Sequence, residues 1–108
     1  MRALIIRADG TFNEAHIRKG YQETERLVHG SFECVTLDEL GTMVMFLNES
    51  GKIDRLLPNY QATRVLRSFY ATQDIIAGDV VIKGLDNEGE SCDLTDEQIE
   101  KLTHILEE

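Results

Sequence analysis

Apolar residues change period several times along this chain, and the changes mark its elements. Residues 2–7 read Arg-Ala-Leu-Ile-Ile-Arg, with Leu4 and Ile6 on one side and Ala3 and Ile5 on the other. Both sides are apolar, which predicts a central strand rather than an edge. Asp9-Gly10 marks a turn. Residues 11–17 read either as a second strand or as a loose lead into a helix. Residues 20–29 predict a short helix, with Tyr21, Thr24, Leu27 and Val28 at helical spacing. Gly30 suits the left-handed position after its last turn. Residues 31–37 predict a strand of mixed pattern, in which Cys34 alternates with Phe32 and is expected in the core. Asp38-Glu-Leu-Gly41 is short enough for a hairpin return. Residues 42–48 follow, with five apolar positions in a row from Met43 to Leu47. That run predicts a strand buried on both sides, with Met43, Met45 and Leu47 in one layer and Val44 and Phe46 in the other.

The second half is punctuated more sharply. Asn48-Glu-Ser-Gly51 is a turn, and Pro58 ends the stretch that follows it. Asn59 then suits the N-cap of a helix over residues 60–69, whose buried face is Ala62, Val65, Leu66 and Phe69. A turn at 77–79 leads into a strand over 80–85, and Asp86-Asn-Glu-Gly89 makes another turn. That turn lacks calcium-loop ligand spacing. Thr95-Asp-Glu-Gln98 is a capping box, with Leu94 and Ile99 as its staple, opening a helix through Leu106. Glu107 and Glu108 oppose the helix dipole, so the last turn is expected to fray. This succession, without a βαβ repeat, predicts an α+β fold: one domain over residues 1–108, with a mixed or mainly antiparallel sheet packed against helices.

Charge changes the picture of partners. The chain has 108 residues, with 20 acidic and 11 basic side chains, a formal net charge of -9. Residues 1–78 hold 10 acids and 9 bases, a net of -1; residues 79–108 hold 10 acids and 2 bases, a net of -8. Such a field repels phosphate backbones and attracts basic partners, which argues against direct nucleic-acid binding. Glu88, Glu90, Glu97 and Glu100 are the candidate docking residues for a protein partner, basic or itself nucleic-acid-binding. The plainer alternative is a solvated acidic surface. One basic cluster runs against this trend. Lys52, Arg55, Arg64 and Arg67 fall within sixteen residues, and with Asn59 they form a candidate anion-binding group. Neither a GxGxxG nor a GxxxxGK[ST] phosphate loop accompanies them.

Other chemistry is sparse. Cys34 and Cys92 form no CxxC pair, and two reduced thiols are the default reading, although their spacing leaves a disulfide open. Cys92 lies among Glu88, Glu90 and Asp93, which should raise its pKa and work against an activated thiolate. His16, His29 and His104 share no metal-ligand spacing with each other or with the cysteines. No catalytic residue, metal ligand or cofactor is assigned. No apolar run reaches the roughly 18 residues of a membrane span, and a cytoplasmic location is expected. Homo-oligomerisation is left open.

Four segments together resemble the uncharacterised DUF3846 family. They are the apolar first strand, Asn48-Glu-Ser-Gly-Lys52 with Leu56-Leu-Pro-Asn59, Asp74-Ile-Ile-Ala-Gly78 running into Val80-Val-Ile82, and Leu94-Thr-Asp-Glu-Gln98. They occur in the family's order and span nearly the whole chain. The stretch after Pro58-Asn59 departs from the family, where it is less regular. The resemblance implies a small cytoplasmic accessory protein of a phage, plasmid or integrated element and carries over no catalytic residue. Two functions stand side by side. One is a non-catalytic protein that acts by protein–protein interaction through the acidic C-terminal surface. The other is a small enzyme or nucleotide- or phosphate-binding domain using the cluster around Arg64 and Arg67.

Overall fold

The computed structural model describes residues 1–108. The chain runs β1 (Arg2–Ile6), β2 (Phe12–His16), α1 (Tyr21–Val28), β3 (Phe32–Thr36), β4 (Met43–Asn48), α2 (Tyr60–Phe69), β5 (Val80–Leu85), β6 (Ser91–Cys92) and α3 (Asp96–Leu106). The strands form one sheet in the order β2-β1-β5-β4-β3. Every pairing is antiparallel. The fold is therefore α+β, as predicted. β6 was not predicted. It is two residues long, too short for a hydrophobic period to show, and it pairs with Gly84 and Leu85 where β1 has run out. Gly84 is required there, because a Cβ would lie 2.6 Å from the Asp93 carbonyl oxygen.

Strand periodicity sorts the apolar residues into two layers. Leu4, Ile6, Met43, Met45, Leu47, Val80 and Ile82 pack with Ala62, Val65 and Leu66 of α2 and with Leu102 and Leu106 of α3. Ala3, Ile5 and Val81 face the other way, against Ile17 and Val28. Every residue of β4 is buried, and the alternation expected there is present. Two helices thus cover one face of the sheet and the eight-residue α1 alone covers the other. The hairpin between β3 and β4 is closed by Asp38, whose carboxylate accepts the Thr42 and Met43 N–H groups at 2.8 and 3.0 Å.

Three local expectations need correction. His29, not Gly30, takes the left-handed position after α1, at φ 66. Gly30 is needed for another reason: a Cβ there would lie 2.9 Å from Asn48 Nδ2. Cys34 is exposed rather than in the core. Its register puts it opposite Phe46 on the α1 side, but β3 is an edge strand and α1 is too short to cover it. Finally, the last turn of α3 is held rather than frayed. Arg64 donates to the carbonyl oxygens of Ile105 and Glu108 at 2.9 and 3.0 Å, and Gln61 donates to that of Leu106 at 3.2 Å. A guanidinium on these unpaired carbonyls outweighs the two terminal glutamates.

Asn59 joins the pieces. Its side chain is fully buried and accepts the Ala62 N–H at 2.9 Å, capping α2. The same amide donates to the carbonyl oxygens of Ile6 at 3.0 Å and Gly78 at 2.9 Å. Replacement by alanine loses a cap and orphans two buried acceptors, an expected cost of at least about 2 kcal/mol. Asn59→Asp keeps the capping acceptor but turns an oxygen toward those two carbonyls. Chemical denaturation should therefore find Asn59→Asp less stable than Asn59→Ala. The reverse order would show that the cap is the dominant bond.

Candidate functional site

The two faces of the sheet carry two different hollows. The first, of about 400 Å³, lies beside α2. Its floor is Val35, Leu47, Leu66 and Ile76, the end of the main core. Ile53, Tyr70 and Ile75 flank it and remain 84%, 42% and 43% exposed. Glu33, Glu49 and Asp74 supply carboxylates at its edge, and only Asp74 has a cation near it, Lys52 at 3.9 Å. The local backbone explains the shape. Gly51 lets the turn after β4 approach Ala77, whose carbonyl oxygen would be 2.9 Å from a Cβ.

The second hollow, of about 490 Å³, lies on the α1 side. Tyr21, Phe32 and Phe46 give it aromatic walls, and Asp86 and Glu90 give it carboxylates. Phe32 and Phe46 meet edge to face at 5.2 Å. Lys83 lines this hollow from the middle of the sheet and is only 3% exposed. Its Nζ donates to Thr24 Oγ1 at 2.6 Å and stands 4.6 Å from the centre of the Phe46 ring. No carboxylate lies within 4.0 Å of it.

A lysine is rarely buried unless paired. An ammonium in this setting loses water and gains one hydroxyl and one ring face, which does not replace its hydration. Burial accordingly lowers the Lys83 pKa below the ordinary lysine value, with a smaller opposing influence from Cys34. Burial also raises the Cys34 thiol, only partly offset by Lys83. Cys92 is raised by its own burial and then by Asp86 and Asp93. The direction matches the sequence expectation, but the carboxylates responsible are not Glu88 and Glu90. Neither thiol is activated, and the two cysteines are free.

The residues singled out from sequence are dispersed. Asn59 spends its side chain on Ile6, Gly78 and Ala62 and offers no donor to solvent. Arg64 caps α3, while Arg67 turns to the Gln73 carbonyl oxygen at 3.3 Å. Arg55 is exposed in the turn before Pro58, at φ 58. Lys52 alone of this group lines the α2-side hollow. Glu88, Glu90, Glu97 and Glu100 are all exposed. Glu90 borders the α1-side hollow, whereas Glu97 and Glu100 ride on α3 in the opposite layer. Lys83 was missed. Its signal was its place in Val80-Val-Ile-Lys-Gly-Leu85, where alternation puts it beside Val81 on an inward face.

A family model matches residues 1–107 and is described as Domain of unknown function (DUF3846). The chain belongs to the DUF3846 family. That assignment agrees with the resemblance drawn from its four segments. No curated protein and no solved structure matches the chain. DUF3846 membership therefore fixes kinship and leaves the chemistry to be argued from the residues. No helix of this DUF3846 protein is long and apolar enough to cross a membrane.

The lowered pKa of Lys83 has a consequence for stability. Between the folded value and the ordinary value of about 10.4, the unfolded chain binds the extra proton, so this residue's contribution to stability rises with pH. Below the folded value the penalty is complete. Lys83→Met keeps the packing and removes the titration. Denaturation of both proteins from pH 6 to 10 should show wild type gaining on the variant as pH rises. Parallel curves would mean that Lys83 titrates alike folded and unfolded.

Proposed function

We propose that this protein is a small accessory protein of a phage or mobile element that acts by binding a basic protein segment. The mobile-element context rests on the family resemblance alone. The binding role rests chiefly on the α2-side hollow, where exposed Ile53, Tyr70 and Ile75 flank an apolar floor with carboxylates at its edge. Apolar side chains gathered in this way favour an apolar anchor from a partner. Glu33 and Glu49 have no ion pair and favour basic residues on either side of that anchor. The acidic C-terminal segment adds attraction at longer range, and this accelerates encounter more than it tightens the complex. Glu88, Glu90, Glu97 and Glu100 have that steering role in the proposal. The hollow supplies the contact.

A synthetic nonapeptide alternating leucine with lysine tests the reading against nitrogen-15-labelled protein. Saturable shifts should concentrate at Glu33, Glu49, Ile53 and Ile75. Ile53→Ser with Ile75→Ser should weaken binding by about tenfold or more, since each buried apolar side chain contributes roughly 1.5–3 kcal/mol. Changing Glu88, Glu90, Glu97 and Glu100 together to glutamine should slow association at low salt and change dissociation little. Shifts spread over the acidic surface, untouched by the isoleucine changes, would leave only nonspecific charge attraction and overturn the proposal.

A further inference from the structure

The α1-side hollow is separate from the surface just proposed and has its own chemistry. Three observations meet there. Lys83, 3% exposed as a residue, carries a primary amine that donates to one hydroxyl and has no carboxylate within 4.0 Å. Tyr21, Phe32 and Phe46 line the same hollow beside Lys19, Asp86 and Glu90 and supply aromatic surface for a flat group. The N-terminus of α1 opens beside them, at Gly20 and Tyr21, without a side-chain cap. Its first N–H groups are unpaired donors, suited to a carbonyl oxygen.

We propose that this hollow binds a small uncharged aromatic aldehyde or ketone and that Lys83 holds it as a reversible imine. The arrangement puts an amine and oxygen-seeking donors in one cavity. Desolvation raises the share of an amine that is unprotonated and therefore nucleophilic. Its lone pair attacks the carbonyl carbon, a C–N bond forms, and the carbonyl π pair moves to oxygen. A proton passes from nitrogen to that oxygen, with Thr24 Oγ1 at 2.6 Å from Nζ able to relay it. The carbinolamine hydroxyl then takes one proton from solvent water, the C–O bond breaks with loss of a water molecule, and the nitrogen lone pair closes the C=N bond of a protonated imine. Hydrolysis runs the same steps backwards, so no oxidant or reductant is consumed and the capture requires no turnover. The lowered pKa of Lys83 agrees with this geometry, since burial disfavours its ammonium form.

The test uses benzaldehyde with sodium cyanoborohydride at pH 7, which reduces any imine to a stable secondary amine. Peptide mapping by mass spectrometry then compares Lys83 with Lys52 and Lys101, both exposed in the same molecule. A lowered pKa raises the neutral amine fraction at pH 7. Lys83 labelling should exceed that of Lys101 severalfold and should saturate with benzaldehyde concentration. Tyr21→Ala removes an exposed aromatic wall and should lower labelling at Lys83 while leaving Lys101 unchanged. Lys83→Met should abolish the fast adduct. If that variant does not fold, the ratio within wild type still decides. Labelling of Lys83 no faster than Lys101, or a rate linear in benzaldehyde and indifferent to Tyr21→Ala, would overturn the proposal.

Discussion

The architecture depends on one buried amide. Asn59 stands where the irregular stretch after β4 must enter α2, and all its side-chain bonds are made inside the protein. Its oxygen starts the helix. Its nitrogen holds the end of β1 and the turn before β5 at one point. Its own N–H donates to Ile76 at 2.7 Å, and its carbonyl oxygen receives both the N–H and the hydroxyl of Thr63. Thr63 Oγ1 in turn accepts the Ile76 N–H. Backbone groups of three segments are thereby satisfied away from water, where each left unpaired would cost about 1–3 kcal/mol. The helix carrying Arg64 and the turn shaping the α2-side hollow are both set by this centre.

The sheet divides its two faces unequally, and both hollows follow from that. On one side α2 and α3 bury a continuous layer, and a hollow arises only at its end, where the chain from Tyr70 to Ala77 arches past Gly51. On the other side the single helix α1 is eight residues long, about 12 Å. A helix of that length does not span a five-strand surface, whose neighbouring strands lie about 4.8 Å apart. The uncovered remainder holds Cys34 at the open edge, while Lys83 lies buried against Thr24 of α1. Core and cavity are therefore produced by the same topology.

How much of this was legible depends on the distance over which each feature is encoded. The Thr95–Gln98 box is complete within four residues and could be read directly; both of its hydrogen bonds are present. Asn59 was legible as a cap, because Ala62 is three positions away. Its bond to Ile6 crosses 53 residues and leaves no local trace. Alternation told which side Cys34 faces, but whether a helix reaches far enough to cover that side is a tertiary matter. Proximity along the chain misled for Arg64 and Arg67: three positions apart on α2, they bond to opposite neighbours, the end of α3 and the loop after α2. Counting Lys83 as one positive charge hid its significance, which lies in its strand position.

The electrostatics of Lys83 are unusual for this particular chain. The chain has twenty acidic and eleven basic side chains, and both the half-buried Arg2 and the exposed Arg26 have acidic partners. The one lysine buried in the sheet has none within ion-pair distance. A structural lysine would gain from a carboxylate at the position of Thr24, since opposite charge offsets desolvation where a hydroxyl does so only in part. A hydroxyl instead leaves the amine's proton weakly held and serves it equally as donor or acceptor. The Phe46 face adds attraction for a cation but no counter-charge. An environment of this kind disfavours the ammonium and supplies no counter-charge to hold it, which is the property that a reversible amine–carbonyl exchange requires.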